Sequence, residues 1–390
     1  MIVSGGVPVD IESRSYGAVH SDYTYKDQPT YSIISLQGDL IECADGKLGQ
    51  SLRLTPPGDD PVLLMLQPGN NYALPTPASG THWYVATPDA PLNTVRGFDA
   101  LYAWVPPGMG AGTVFCHAFS PKEAGWLIVS DADGNELASL ESDFNEPEAL
   151  MFRLRTTAPE GSLIKISLLK PQNPDWTIDD AKVWLGPELP GLVAPSLKAA
   201  DGIAAIARRV GIETDWTPLC DFETENPFTT IQWSKPVPEH AELPAYDVGL
   251  SGEQSFGGGN SLRVQMRFPE NDEERSQELK LFTKPLPMEG VRQVRFFLYG
   301  DGSGRKIIVR VRDESQEHHY CSVGVIDWTG WKAVVADFQN ATTSIAGGDE
   351  NKRIDGPTGN VVIQLQHTTG NALESVLYID DLSVRMGGAQ

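Results

Sequence analysis

The chain has 390 residues, 40% of them hydrophobic, which is enough for two domains of about 170 residues that each bury a core. Its net charge of −22 at pH 7 repels nucleic acids and anionic membrane surfaces, so neither is an expected partner. Every apolar run is shorter than the roughly 18 residues that a membrane-spanning helix requires, so no membrane span is predicted.

Most of the chain alternates apolar and polar residues with a period of two, which predicts half-buried β-strands. The pattern is clear in "ALYAWV" and "LIKISLL" of the first half and in "SLRVQMRF" and "KIIVRVRD" of the second. Turn sequences such as "PPGMGAG" and "GDGSG" separate these strands. Only "SLKAADGIAAIARRV" has helical spacing, with Ser196 at its N-cap and Ile203, Ile206 and Val210 on one face.

Because no helices are available as crossovers, the strands predict antiparallel sheets. The predicted fold class is therefore all-β, with two tandem antiparallel β-sandwich (jelly-roll) domains joined by a short helical linker. We expect the first domain at residues 1–187, the Pro-rich and helical linker at 188–215, and the second domain at 216–390.

Two near-copies of one phrase, "WTIDDAKVWLG" (176–186) and "LYIDDLSVRMG" (377–387), indicate a duplication. Each half also carries Ser-Leu-Arg after a glycine-bearing loop, at 51–53 and 261–263. An aromatic strand and a Gly-x-Gly turn follow in both halves. We therefore predict a whole-domain repeat in which each copy closes with the Ile-Asp-Asp strand.

Four acidic residues of the second half predict a cation site. Asp221 and Glu223 stand near its first strand, and Asp380 and Asp381 stand in its last strand. If those two strands pair, the four carboxylates meet, and they repel one another unless a hard cation such as Ca²⁺ neutralises them. The alternative is that these aspartates accept hydrogen bonds from backbone amides at a strand edge.

The segments "DFE", "GGGNSLR", "DWTGWK" and "YIDDLSV" resemble β-jelly-roll carbohydrate-binding modules of the xylanase and cellulase type, families 4, 9, 16 and 22, in the galactose-binding-like group. The resemblance covers roughly residues 219–386. It implies a structural Ca²⁺ held by Asp221, Glu223 and either Asp380 or Asp381. The first half lacks the opening acid, or has it displaced to Asp22, so calcium is expected in the second domain only.

Pleat alternation in four strands of the second domain separates polar and aromatic side chains from apolar ones. We expect one sheet face to bind polysaccharide, because aromatic rings stack on sugars and polar groups hydrogen-bond the hydroxyls. Its arginines indicate an anionic glycan, either uronate or sulfated. The alternative is an ordinary solvated sheet face in which the arginines pair with local Asp and Glu. The predicted ligand-binding residues are Arg263, Gln265, Arg267, Arg295, Phe297, Tyr299, Arg310, Arg312, Gln364 and Gln366.

The predicted function is polysaccharide binding without cleavage and without catalytic residues, with Ca²⁺ as the structural ion. The lead alternative is a jelly-roll polysaccharide lyase or glycoside hydrolase on the same face. Its candidate residues are Tyr299 or Tyr320, His318 or His319, Arg310 and Gln364. A third alternative is a structural or adhesive surface protein that uses the sandwiches as spacers.

The sequence gives weaker indications of location. The N-terminal segment "MIVSGGVPVDIESRSYG" lacks the basic start and long apolar stretch of a secretory signal, which predicts a cytosolic protein or a mature or excised piece. With the carbohydrate-binding resemblance, we expect an extracellular or cell-surface location beside other modules of a larger protein. Cys43, Cys116, Cys220 and Cys321 lack Cys-x-x-Cys spacing, which disfavours zinc and leaves one disulfide per half or buried thiols as alternatives.

Overall fold

The computed structural model divides the chain into two compact units, the first of which is Met1–Val105, Val114–Leu150 and Ser162–Glu213. The second unit is Pro106–Thr113, Met151–Gly161 and Thr214–Gln390, so its main segment begins two residues before the predicted boundary at 216. The structure describes all residues except 15–24, 70, 108, 119–122, 155–159, 210–215, 234–243, 257–258, 269–276, 287–289, 339–342, 350, 352, 355, 357–358, 369 and 387–390.

The first seven strands form two small sheets around a core of their own. Val9, Ile11, Tyr31, Ile33 and Leu64 are each at most 1% exposed in this core. The four-stranded sheet has the order β1 (Ile2–Val3), β6 (Val62–Gln67), β3 (Thr30–Ile34) and β4 (Leu40–Asp45), and the three-stranded sheet has the order β5 (Ser51–Leu54), β2 (Val9–Arg14) and β7 (Tyr72–Pro77).

A second pair of sheets follows in the first half. Leu127, Val129, Ile164 and Ile166 alternate inward from adjacent strands and are fully buried. One sheet has the order β13 (Glu136–Ser142), β12 (Gly125–Asp131), β15 (Ser162–Leu169), β10 (Phe98–Val105), β17 (Leu192–Ala194) and β8 (Tyr84–Val85), and the other has the order β14 (Glu148–Arg153), β11 (Ala111–Ala118), β16 (Asp180–Leu185) and β9 (Leu92–Val95).

The linker contains two short helices, α1 (Leu197–Ala200) and α2 (Ile203–Arg209), where one continuous helix was predicted. Ser196 is the N-cap, as expected, and its hydroxyl accepts a hydrogen bond from Ala199 N. The helices are interrupted at Gly202, where a Cβ would lie 2.8 Å from the Trp83 ring, so close packing favours glycine there. Ile203 and Ile206 are buried as predicted, whereas Val210 lies outside the described residues.

The second half forms one large sandwich, in which the inward residues of both sheets meet in a continuous apolar core. Sheet A has the order β20 (Ala245–Ser251), β21 (Ser261–Arg267), β29 (Glu374–Met386), β23 (Val291–Asp301) and β26 (Thr329–Asp337), with β18 (Trp216–Cys220) also paired to β29. Sheet B has the order β19 (Phe228–Trp233), β22 (Gln277–Thr283), β28 (Asn360–His367), β24 (Lys306–Arg312), β25 (His318–Val325) and β27 (Thr343–Ala346).

The predicted all-β class of tandem antiparallel sandwiches joined by a helical linker is confirmed, since every pairing between these strands is antiparallel. No helix within the described ranges is long and apolar enough to cross a membrane. All four cysteines are free thiols; Cys43 is exposed and the other three are buried, which decides the alternative left by their spacing.

The predicted domain overlay is wrong in its strand pairing. In the second half, Ser-Leu-Arg begins β21, which pairs directly with the Ile-Asp-Asp strand β29. In the first half, Ser-Leu-Arg lies in β5, which pairs with β2, whereas the Ile-Asp-Asp strand β16 pairs with β9 and β11. The Ser-Leu-Arg and Ile-Asp-Asp motifs are therefore neighbours in one sheet in the second half and lie in different sheets in the first half. Such short alternating motifs fit any half-buried strand.

A buried arginine joins the first and last strands of the second sandwich. Arg295 is 0% exposed, and its Nη2 lies 3.3 Å from Asp381 Oδ2 and 2.7 Å from Ser383 Oγ. Its guanidinium also stacks over Trp216 of β18, with its central carbon 5.1 Å from the ring centroid. Because Asp381 and Ser383 bind its Nε and Nη2 inside the protein while Nη1 has no partner among the described residues, Arg295 has a structural role in sheet A.

Replacing Arg295 by alanine is expected to destabilise this sandwich by about 3–5 kcal/mol, because Asp381 would be buried without its cation. The matched change Arg267→Ala removes only an exposed pair with Glu374 and is expected to cost at most about 1 kcal/mol. Calorimetric melting of the two variants and the parent checks this, and equal losses for the two arginines would contradict it.

Candidate functional site

The sequence predicted that the ligand-binding residues share one sheet face. In the structure they are divided between the outer faces of two opposite sheets. Six of them lie on sheet A because β21 and β23 both flank β29. The other four lie on sheet B, where β24 and β28 are neighbours. The sheet A residues are Arg263, Gln265, Arg267, Arg295, Phe297 and Tyr299, and the sheet B residues are Arg310, Arg312, Gln364 and Gln366.

The exposed arginines of sheet A are paired with acidic residues. Arg263 lies 3.3 Å from Asp247 and 3.4 Å from Glu253, and its Nη2 donates to Gln265. Arg267 forms a 2.8 Å pair with Glu374 on the neighbouring strand. These contacts are those of a solvated sheet face whose charges are neutralised within the chain.

The remaining predicted residues of sheet A are largely covered. Phe297 is 0% exposed and stacks on Phe256, with ring centroids 4.0 Å apart. Tyr299 makes edge-to-face contacts with Trp331 and Tyr378. A sugar ring could not reach Phe297 without displacing Phe256, whereas Tyr299 and Trp331 of sheet A are partly exposed.

Sheet B presents a different arrangement on its outer face. Phe282, Val362, Arg310 and Tyr320 form one row across β22, β28, β24 and β25, because they are direct partners in the ladder. The rows on either side are polar apart from Ile308. We call this surface the Arg310 face; its outward residues are Glu278, Lys280, Phe282, Ile308, Arg310, Arg312, His318, Tyr320, Gln364 and Gln366.

Arg310 is held between two aromatic rings. Its guanidinium carbon lies 5.3 Å from the Phe282 centroid and 5.9 Å from the Tyr320 centroid, and the residue is 8% exposed. Within the described part of the chain, neither Arg310 nor Arg312 has a carboxylate within 4 Å. The two rings hold the cation by cation–π attraction in place of an acidic partner.

Hydrogen-bonding capacity is left unused on this face. The Nε atoms of Arg310 and Arg312 and the Nε2 atom of Gln364 are buried without a hydrogen-bond partner among the described residues. Buried donors in native proteins are nearly always paired with protein, water or ligand. Similar unpaired donors, such as Arg295 Nη1 and Arg305 Nε, occur elsewhere in the sandwich, so they support a ligand site on the Arg310 face only together with the cation–π contacts of Arg310.

His318 reports the positive character of the face. Burial lowers the pKa of His318 below its ordinary value, and the charges of Arg310, Arg312 and Lys280 lower that pKa further, against an opposing effect of Asp313. The imidazole is therefore neutral at pH 7, and its Nδ1 lies 3.4 Å from Tyr320 Oη. An anionic group bound on this face would raise the pKa of His318, because its negative charge opposes the effect of the nearby cations.

Sequence reasoning missed Phe282 and Lys280 because "QELKLFT" was not recognised as a strand. Its inward and outward positions alternate strictly over Gln277–Thr283, so the period-two signal was present. Of the residues proposed for the lyase alternative, Tyr320, His318, Arg310 and Gln364 do share the Arg310 face. Tyr299 lies on sheet A, and His319 is buried inside the sandwich.

The four acids proposed for calcium are not brought together as predicted. Asp380 Oδ2 accepts from Phe256 N at 3.0 Å, and Asp381 pairs with Arg295. Asp221 accepts from Glu223 N, and the Glu223 carboxylate accepts from Gly259 N at 2.9 Å. Within the described residues, no three of these acids place ligand atoms within 4.8 Å of one another. Asp22 of the first half lies outside the described residues.

The known structures similar to this one include several carbohydrate-binding modules and two agarases. The family 11 module from Clostridium thermocellum in complex with a β-1,3-1,4-mixed-linked tetrasaccharide is 13% identical, with a TM-score of 0.33 over 45% of this chain and 98% of that chain. The CBM22-1-CBM22-2 tandem domain from Paenibacillus barcinonensis is 11% identical, with a TM-score of 0.27 over 76% of this chain and 87% of that chain. No family model and no curated protein matches the chain.

The change Arg310→Gln is expected to raise the pKa of His318 toward its ordinary value, because one positive charge that opposes its protonation is removed. NMR titration of the imidazole resonances in both proteins measures this pKa. Arg267→Gln, on sheet A, is the control and should leave it unchanged. A His318 pKa unaffected by Arg310→Gln would refute the field described here.

Proposed function

We propose that the second sandwich binds an anionic polysaccharide on the Arg310 face and does not cleave it. One observation supports this most: in a chain with 52 acidic and 30 basic residues, Arg310 is held by Phe282 and Tyr320 and has no acidic partner in the part of the chain that the structure describes. Elsewhere in the same sandwich, exposed arginines such as Arg263 and Arg267 have carboxylates nearby. An unpaired guanidinium is suited to a ligand that brings its own negative charge.

The chemistry of the surrounding residues supports a sugar acid. The guanidinium of Arg312, on the same outward edge of β24, can form a two-bond contact with a uronate carboxylate or a sulfate. Partly exposed Phe282 and Tyr320 offer aromatic surface to the C–H face of a pyranose ring. Partly exposed Gln366 supplies an amide group for hydroxyls, whereas Gln364 is 1% exposed and lies beneath this surface.

Replacing Arg310 by alanine is expected to weaken binding of an acidic polysaccharide about 10- to 100-fold, because a hydrogen bond between charged groups contributes about 1.5–3 kcal/mol. Affinity gel electrophoresis in polygalacturonate, a sulfated galactan and neutral xylan measures the retardation. The parent chain should be retarded by the acidic gels and not by xylan.

The matched control for this experiment is Arg267→Ala on sheet A, which should be retarded like the parent. Loss of retardation in Arg267→Ala but not in Arg310→Ala would assign binding to the opposite sheet. Absence of retardation in every gel would favour a spacer role for the sandwiches.

A polysaccharide lyase is the second candidate, because Tyr320, His318 and Arg310 lie together on this face. A lyase requires a base near the C–H of the ring carbon that bears the uronate carboxylate, and a cation that neutralises this carboxylate. Incubating the same acidic polysaccharides with the chain and recording absorbance of unsaturated ends distinguishes the two. If unsaturated product forms and the Tyr320→Phe change abolishes it, the second sandwich is a lyase and the proposal of binding without cleavage is wrong.

Calcium binding at the Ile-Asp-Asp strand is the second part of the proposal. It rests on the Asp-Phe-Glu and Ile-Asp-Asp motifs that the second half shares with carbohydrate-binding modules. The hydrogen bonds that Glu223 and Asp380 accept from Gly259 N and Phe256 N favour the alternative, in which the backbone satisfies these acids without an ion. Millimolar Ca²⁺ is expected to raise the melting temperature of the EDTA-treated chain, since an ion that binds only the folded state stabilises it. Asp380→Asn should abolish this rise, whereas Asp247→Asn should retain it. No rise in the parent chain would remove calcium from the proposal.

A further inference from the structure

A cluster of two carboxylates and one imidazole is buried at the end of the β24–β25 hairpin. Asp313 and Glu317 are 0% exposed and His319 is 3% exposed. One oxygen or nitrogen of each lies within 4.8 Å of the others, and His319 Nε2 is 3.5 Å from both Asp313 Oδ2 and Glu317 Oε2. Within the described residues this is the one group of three such side chains with metal-ligand spacing.

The hairpin brings these residues together through its backbone. Asp313 follows β24 and Glu317 precedes β25, and Asp313 N donates to Glu317 O at 3.1 Å. Glu317 and His319 are two residues apart, so the pleat sends both side chains to the same inner side. Gly348 covers the hairpin so closely that a Cβ there would lie 2.5 Å from Glu317 N, which helps to keep water from the cluster.

The two carboxylates differ in how their charge is met. Asp313 Oδ1 accepts from Glu317 N and Ser315 Oγ, both at 2.8 Å. Glu317 has no such donor among the described residues: both of its carboxylate oxygens are buried there without a hydrogen-bond partner. An ionised carboxylate in that state costs several kcal/mol unless a cation offsets it.

His319 cannot satisfy both acids. A neutral imidazole has a single N–H, and 3.5 Å is long for a hydrogen bond to either oxygen. A protonated His319 would still leave two negative charges against one positive charge. A divalent ion with a neutral imidazole and two carboxylates gives a cluster with no net charge.

We propose that Asp313, Glu317 and His319 bind a divalent transition-metal ion, for which Zn²⁺ is the probe. Imidazole nitrogen with carboxylate oxygens suits Zn²⁺, whereas Ca²⁺ prefers oxygen ligands alone. Ligands at about 2.0–2.2 Å from a tetrahedral ion lie roughly 3.4 Å apart, close to the two 3.5 Å separations measured from His319. The ion would tie the ends of β24 and β25 together inside the sandwich.

The site was not visible in the sequence because His318 and His319 are adjacent, and adjacent strand residues point to opposite sides. The two histidines do diverge: His318 lies on the Arg310 face and His319 lies inside. The informative spacing is Glu-x-His within the strand combined with an aspartate across the turn. That combination is recognisable only once the hairpin register is known.

The test uses the full chain, treated with EDTA, freed of chelator and mixed with one equivalent of ZnCl₂. Metal analysis after gel filtration is expected to show one retained zinc per chain, with a higher melting temperature. Glu317→Gln and His319→Gln should each lose the zinc. Glu314→Gln, exposed on the same hairpin, and His318→Gln, on the opposite side, should keep it. Zinc retained by Glu317→Gln would overturn the proposal.

A measurement on the unmodified chain keeps the proposal testable even if a variant does not fold. The imidazole nitrogens of His319 are followed by NMR while Zn²⁺ is added, and Co²⁺ provides a visible spectrum of the same site. The expected result is a large shift of a His319 nitrogen at one equivalent and a tetrahedral cobalt spectrum. An unchanged His319, with zinc lost on gel filtration, would overturn the proposal and leave a buried ion pair.

Discussion

The pleat of strand β24 is the constraint on which the candidate site depends. Val309 and Val311 are 0% exposed in the core, so Arg310 and Arg312 must point to the outside. A slip of one residue would turn both guanidinium groups into the apolar core and both valines to the outer face. The register of β24 is therefore strongly specified. The direct partners of Arg310 across the ladder then place it in one row with Phe282 and Tyr320.

The two outer faces of the second sandwich show how similar alternating sequences place arginine in different surroundings. Both faces carry arginine at alternate positions, yet those of sheet A meet Asp247, Glu253, Glu374 or the buried Asp381. Arg310 meets aromatic rings instead. Arg310 lies between two aromatic rings and has no carboxylate within 4 Å among the described residues, and this combination in a chain of net charge −22 is what supports ligand binding.

The sequence predicted those features that depend on local alternation. Inward Leu262, Val264 and Met266 against outward Arg263, Gln265 and Arg267 are as expected, and Ser196 caps its helix. The arrangement of strands into sheets could not be predicted, because an alternating strand fits either sheet of a sandwich equally well. The ten predicted ligand-binding residues were therefore assigned to one face and occur on two. The burial of Arg295 could not be predicted from local alternation either, since it depends on contacts with Trp216 and Asp381, which are distant in sequence.

The central claim is that the ligand-binding surface of the second sandwich is the outer face of sheet B. A crystal structure of the chain with a galacturonate oligosaccharide tests it most directly. We expect a uronate carboxylate within hydrogen-bond distance of the Arg310 or Arg312 guanidinium, with a sugar ring against Tyr320 or Phe282. An oligosaccharide bound instead beside Arg263 and Arg267 on sheet A would contradict the account.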